Sequence, residues 1–214
     1  KCYAEKRSPE EVRQIHREVI DSYVLDFAKH APASDIPKLT LIWDSLPQHL
    51  ARENQKFIFG AVKKGARARE YENALVWLED AGLIHRASAV KKSQFPLKHY
   101  ADRSSFKVYA LDVGLLGAMA QTPTTAIVER YRLFEEYKGA LAENYAAQEL
   151  IAFLGREELY YWRSEGGKAE IDFLLELEDH IYPFEVKSGI NPRSRSFASY
   201  ASQFAPHGLI RSYL

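Results

Sequence analysis

Two short runs, Glu170-Ile171-Asp172-Phe173 and Phe184-Glu185-Val186-Lys187, carry the residue types best suited to chemistry. Strands alternate faces with a period of two. Glu170, Asp172 and Leu174 therefore share one face, and Pro183, Glu185 and Lys187 share a face of the return run. A hairpin symmetric about Glu178 and Asp179 sets Asp172 directly across from Glu185. Two carboxylates facing each other at roughly 5 Å would normally destabilise a sheet. A divalent cation between them removes that cost, because hard cations take carboxylate oxygens. The neighbouring Lys187 completes a residue set known from phosphodiester cleavage.

A third acid arrives from a helix. The segment from Tyr137 to Leu154 places Ala140, Glu143, Ala147, Leu150 and Leu154 on one stripe at 3-4-3-4 spacing. A carboxylate on an apolar stripe must be paired, protonated or bound to a cation. If this helix packs beside the hairpin, Glu143 reaches the end near Asp172 and Glu185. In a purely structural alternative, Glu170 pairs with Lys187 across the strands, and Asp172 and Glu185 solvate an exposed face.

The elements that must position these residues follow from periodicity and turn residues. From about Val128 the order is helix (137–154), strands (159–163, 169–176, 181–187), helix (194–204) and strand (209–213). Turns fall at Gly155, Gly166-Gly167, Glu178-Asp179 and Gly189 with Asn191-Pro192. This α-β-β-β-α-β unit occupies residues 122–214. Upstream, Ser8-Pro9-Glu10-Glu11 starts a helix that runs to about Lys29. Residues 1–36 thus form a helical segment and linker. Residues 37–121 read as three helices (39–50, 56–63 and 67–81), the last ended by Gly82, then two strands (83–90 and 106–111) and a short helix. The loop between those strands holds Lys91, Lys92, Lys98, His99 and Arg103. Three helices followed by a two-stranded basic wing is the winged-helix arrangement. Lys63, Lys64, Arg67 and Arg69 begin its strongest helix, where a recognition helix would meet phosphate or bases. Glu70, Glu72, Glu79 and Asp80 follow closely, so the same surface also suits a partner protein.

With these residues in place the chain resembles a family. The core order and the acid, Asp, Glu-x-Lys series look like the PD-(D/E)xK, or restriction-endonuclease-like, nuclease fold. Lys138-Gly139-Ala140-Leu141-Ala142-Glu143-Asn144, Tyr160-Tyr161-Trp162-Arg163, Glu170-Ile171-Asp172-Phe173 and Phe184-Glu185-Val186-Lys187-Ser188 are similar to the C-terminal module of a prokaryotic AAA+ ATP-binding family. Lys64-Gly65-Ala66-Arg67 and Trp77-Leu78-Glu79-Asp80-Ala81-Gly82-Leu83 resemble the winged-helix region of the same proteins. The fold class implied is α+β with an α/β core: an N-terminal helix and winged-helix region, then a restriction-endonuclease-like unit. The resemblance implies that Asp172 and Glu185 hold Mg²⁺ with the carbonyl of Val186. Lys187 would orient or deprotonate the attacking water, and Glu143 would be an outer or second-metal acid. It also implies that ATP binds only in an N-terminal ATPase domain preceding this chain, where ring formation would reside. DNA and that ATPase domain are the implied partners. Ile171, rather than proline, precedes Asp172.

Bulk properties fit this reading. Lys plus Arg and Asp plus Glu number 29 each, so no global basic field marks a non-specific DNA coat. With 46% hydrophobic and 27% charged residues, the chain has an ordinary globular composition. The lone Cys2 excludes an internal disulfide and a cysteine-rich zinc site, and suits a reducing cytoplasm. No apolar run approaches a membrane span, so no membrane partner is expected. Lys1 in place of a methionine, and a strand-like end at Leu209–Leu214, suggest a piece of a longer protein. Gly166-Gly167-Lys168 lacks P-loop spacing and reads as a turn. The seven histidines show no ligand spacing, Ser188, Ser194, Ser196 and Ser199 read as loop or cap residues, and Trp162 and Tyr200 read as core or groove walls.

Overall fold

The computed structural model describes residues 8–51, 56–122, 135–155, 158–187 and 195–213. Cys2, Ser188, Ser194 and the turn at Gly189 with Asn191-Pro192 lie outside these residues. The described residues form a mixed α+β chain: helices come first and sheets later. Contacts divide it into two compact units, residues 1–84 with 110–137, and residues 85–109 with 138–214.

The first unit is helical. Helix α1 (Pro9–His30) starts at Ser8, whose Oγ accepts from Glu11 N at 3.2 Å while Glu11 Oε2 accepts from Ser8 N at 2.7 Å. This reciprocal pairing satisfies two donors that a helix start otherwise leaves orphaned. Helix α2 (Ile36–Leu50) buries Leu39, Ile42, Trp43, Leu46 and Leu50 at helical spacing. The Trp43 ring meets Tyr23 and Phe27 edge-on at 6.0 and 6.1 Å. Helix α3 (Phe59–Val62) is one turn, shorter than the 56–63 the sequence suggests. The chain before it extends so that Phe57 is buried and stacks on His49 at 4.3 Å. Helix α4 (Ala68–Asp80) buries Tyr71, Ala74, Leu75 and Leu78. It ends at Gly82 (φ 69°), with Leu83 N donating to Leu78 O at 2.9 Å. That bond needs the left-handed backbone that glycine adopts without strain. Helix α5 (Val113–Met119) is capped by Asp112, which accepts from Leu115 N at 2.8 Å.

The second unit is built on two sheets. Strand β1 (Ile84–Val90) pairs in parallel with β3 (Leu159–Arg163), and β2 (Ala101–Ala110) lies on the far side of β1. Strand β4 (Glu170–Ile171) runs antiparallel to β3, completing the order β2-β1-β3-β4. The pair expected to form a free wing is therefore sheet structure of the second unit. Ala87, Ser88 and Val90 of β1 are buried, and a strand buried in this way gains more from pairing within a sheet than from projecting into water.

The second sheet has the order β5 (Phe173–Leu177), β6 (His180–Lys187), β7 (Ile210–Tyr213). Glu178 and Asp179, both at positive φ (49° and 64°), make the two-residue turn between β5 and β6. The register runs from Leu177↔His180 to Phe173↔Phe184. Carried one step further, the same register sets Asp172 opposite Glu185, with Asp172 itself in the break between β4 and β5. The sequence suggests one strand over 169–176, but Asp172 interrupts it. Its carboxylate accepts from Val186 N at 2.8 Å, a side-chain bond that displaces the regular ladder. Helix α6 (Glu135–Leu154) precedes β3 and buries Ala140, Glu143, Ala147 and Leu150 of the expected stripe. Between β6 and the parallel β7 comes helix α7 (Arg195–Phe204). Its Phe197 and Tyr200 join Val90, Trp162, Ile171 and Leu174 in one core, so Trp162 and Tyr200 are core residues. The Gly166-Gly167 segment is a turn, with Gly167 N donating to Ser164 O at 2.8 Å.

Candidate functional site

Four acids of the second unit, Glu143, Glu170, Asp172 and Glu185, sort into two charge clusters joined by the β5–β6 hairpin. The first centres on a residue that motif reading passed over. Lys107, on β2, is completely buried, and its Nζ lies 2.8 Å from Glu143 Oε1 and 2.6 Å from Glu170 Oε1. Tyr109 shares its face two positions along, and its hydroxyl donates to the same Glu143 oxygen at 2.5 Å. The Lys107 ammonium also lies 5.0 Å from the centre of the Tyr161 ring, and Arg163 Nε approaches Glu170 Oε2 at 3.8 Å. Burial alone would depress the Lys107 pKa. Glu143, Glu170 and Asp172 outweigh it, so the net shift is upward and the ammonium is held. Burial, with Glu143 next, pushes the Tyr109 phenol well above its ordinary range.

Asp172 borders this cluster. Burial and the nearby Glu143 push its carboxyl up to about 7, against the opposing pull of Lys107, the Val186 N–H and Lys187. The second cluster surrounds Glu185, which is buried on β6. Lys187 Nζ sits 2.8 Å from its Oε1, and Arg211 Nη2 sits 3.3 Å from its Oε2. Arg211 is the register partner of Glu185 on β7 and lies over the Phe197 ring at 5.0 Å.

The fold thus brings Glu143 close to Asp172 and Lys187 close to Glu185. Glu143 is paired, one of the three states its apolar stripe requires. Glu170 pairs with Lys107 rather than with Lys187, and Glu185 is buried rather than solvated, so the structural alternative fails in both parts. Val186 contributes an N–H to Asp172. The residues missed were Lys107, Tyr109 and Arg211. A signal for the first was present: Lys107 is the lone charge in Phe106-Lys107-Val108-Tyr109-Ala110, and all five residues are buried. A lysine inside such a run needs an anionic partner from elsewhere.

Among the described residues, no group of three or more His, Cys, Asp or Glu side chains is arranged to hold a metal ion. The donor chemistry at Asp172 nevertheless suits a hard cation. Burial first, and then Glu143, disfavour its charged form, and a bound cation would offset both. Glu185, opposite Asp172 when the β5–β6 register is extended by one step, has Lys187 against its Oε1 and Arg211 against its Oε2. Glu143 is likewise engaged, with Lys107 and Tyr109 both on its Oε1.

The basic set lies in the first unit. Lys63, Lys64, Arg67 and Arg69 are all exposed, around Gly65 (φ 80°) and the start of α4. Arg67 N donates to Glu70 Oε2 at 3.3 Å, so the turn is closed by an acid from the same surface. No described helix is long and apolar enough to cross a membrane.

Comparison with known proteins gives two matches to families. Residues 138–213, which hold every acid of the two clusters, match a domain of unknown function (DUF4143). Over 98 residues the chain is 36% identical to an uncharacterised protein of Mycobacterium bovis and to one of Mycobacterium tuberculosis, covering 45% of this chain and 21% of each relative. The match thus spans about a fifth of the length of those curated relatives. No solved structure matches the chain. Residues 1–126 match the family described as Domain of unknown function (DUF8612), and by that extent the chain belongs to this family.

Proposed function

We propose that the second unit is a nuclease-like module of an AAA+ ATP-binding protein, acting on DNA by metal-dependent phosphodiester hydrolysis. The observation that carries this reading is the hairpin: Asp172 and Glu185 fall opposite each other, and Lys187 lies 2.8 Å from Glu185. The order α6, β3, β4/β5, β6, α7, β7, with β6 parallel to β7, supports a restriction-endonuclease-like core. The AAA+ context is supported by the motif resemblance and by the second matched domain, which is often found in AAA-ATPase-associated proteins. ATP would bind in a separate ATPase domain.

In this reading Asp172 and Glu185 would hold a Mg²⁺. When bound, such an ion lowers the pKa of water toward about 7 and supplies a nucleophile at neutral pH. Lys187 orients the water, and its ammonium steadies charge building on the phosphate. The Val186 N–H fixes the Asp172 carboxylate. Incubating the chain and its Glu185→Ala form with linear, nicked and single-stranded DNA, in Mg²⁺ or Mn²⁺, tests it. Cleavage by the parent chain and its loss in Glu185→Ala is expected. No cleavage by either form in any metal removes hydrolysis.

A second reading is favoured by a different observation. Glu143 and Glu185 already have cationic side chains against them, and four exposed cations surround the α4 turn. The chain would then be a non-catalytic module that docks nucleic acid or a partner protein and reports to the ATPase. That reading requires Asp172→Ala to leave every metal response unchanged.

A further inference from the structure

The acids of the candidate site lie in the stretch 138–213, but the cation that meets two of them does not. Lys107 belongs to the region matched by the other family, and β2 carries it into the same unit. An ammonium has three donors and no acceptor. Two partners of Lys107 Nζ are Glu143 and Glu170, at 2.8 and 2.6 Å, and another near neighbour is the Tyr161 ring. Glu143 Oε1 takes a donor from Lys107 and another from Tyr109, so two residues of one strand face fix its direction. Without Lys107, Glu143, Glu170 and Asp172 would meet around a buried point with positive charge at its edges, on Arg163 and Lys187.

We propose that Lys107 is the positioning residue of the acid cluster: its ammonium stands where a second cation would, holds Glu143 and Glu170 against β2, and leaves Asp172 and Glu185 as the acids for a metal. The proposal builds on the hydrolysis reading and alters it, because Glu143 becomes a partner of Lys107 rather than a second-metal ligand. It also makes the pair β1 and β2 part of the site: residues 138–213 alone would hold the acids without their internal cation.

The experiment compares the full chain with Lys107→Met, Lys107→Arg and the double variant Lys107→Met/Glu143→Gln, by thermal melting in chelator and across a Mn²⁺ titration. Lys107→Met is expected to melt several degrees below the parent in chelator and to recover part of that loss as Mn²⁺ fills the vacated cation place. Lys107→Arg keeps the charge and should show no such added recovery. The double variant has one carboxylate fewer and should melt above Lys107→Met in chelator. A purely structural lysine lowers the melting temperature without changing the Mn²⁺ response. Equal Mn²⁺ shifts in the parent and Lys107→Met, or a double variant no more stable than the single, would overturn the proposal. If Lys107→Met alone does not fold, a folded double variant supports the proposal and an unfolded one overturns it. Failure of the hydrolysis reading is a separate result: it appears as absent cleavage and an absent Mn²⁺ effect in the parent chain, whereas the Lys107 test reads differences between variants.

Discussion

Trp43 in the first unit and Lys107 in the second are both completely buried, yet different forces hold them. Trp43 sits among rings and aliphatic side chains of α1 and α2, where area removed from water and edge-on ring contacts supply the stability. Lys107 sits between carboxylates, where attraction must offset the cost of taking charges out of water. An apolar core degrades gradually as atoms are removed. A buried charge network fails when one partner goes, because the others are left uncompensated. Trp43→Ala and Lys107→Ala should each cost about 3–5 kcal/mol, by cavity formation in one case and by a broken ion pair in the other. Their pH dependence should separate them. The Trp43→Ala loss should stay constant between pH 4 and 8, while the Lys107→Ala loss should shrink toward low pH, because Lys107 opposes the upward shift of Asp172 and a protonated Asp172 needs no counter-charge. Denaturant unfolding at several pH values measures both. Parallel profiles would erase the distinction between the two regions.

Asp172 sharpens the same contrast on a smaller scale. Its carboxyl is pushed up to about 7 by burial and by Glu143. A raised acid binds its proton more tightly in the folded than in the unfolded chain, so its contribution favours folding at low pH. That contribution falls as the pH rises from about 4 to about 7, with a slope no steeper than about 1.4 kcal/mol per pH unit. Asp172→Asn removes the titration. The stability of the variant relative to the parent should therefore rise across that window and level off above it. A flat difference would show that Asp172 is not held at the edge of the buried cluster. Smaller again is the cap of α1. Ser8→Ala deletes the Oγ that accepts from Glu11 N and should cost about 1 kcal/mol, with no dependence on divalent cations.

The parts of this molecule legible in its sequence are those set by local rules. The β5–β6 turn, the register that faces Asp172 with Glu185, the Ser8 cap and the Gly82 helix end all follow from residues within a few positions of one another. Sheet membership of β1 and β2 did not, because a strand with Ala87, Ser88 and Val90 buried suits either a wing or a longer sheet, and only β3, some seventy positions downstream, decides between them. Lys107 was missed for the same reason. Its partners Glu143 and Glu170 lie far along the chain, and each position taken alone has several acceptable partners. Pairing Glu170 with Lys187 was reasonable for a two-stranded hairpin. It fails because the Asp172 interruption ends β4 and a nearer ammonium arrives from β2.

The exposed set tests the opposite end of the comparison. Lys63, Lys64, Arg67 and Arg69 face water around Gly65, and charges so placed contribute little to folding because solvent screens them. Replacing Lys64 and Arg67 together with alanine should change stability by less than about 0.5 kcal/mol per site, an order of magnitude below the Lys107 effect. If the α4 turn meets nucleic acid, the same pair should weaken duplex binding about equally across sequences. It should also reduce the slope of log affinity against log salt by about two, roughly one for each phosphate left without its cation. A fluorescence-anisotropy titration at several salt concentrations reads both quantities. Unchanged affinity and slope would assign these cations to solvation or to a protein partner. A large stability loss instead would mean that the surface cations are tied into the first unit's packing, and the contrast with Lys107 would then be one of degree.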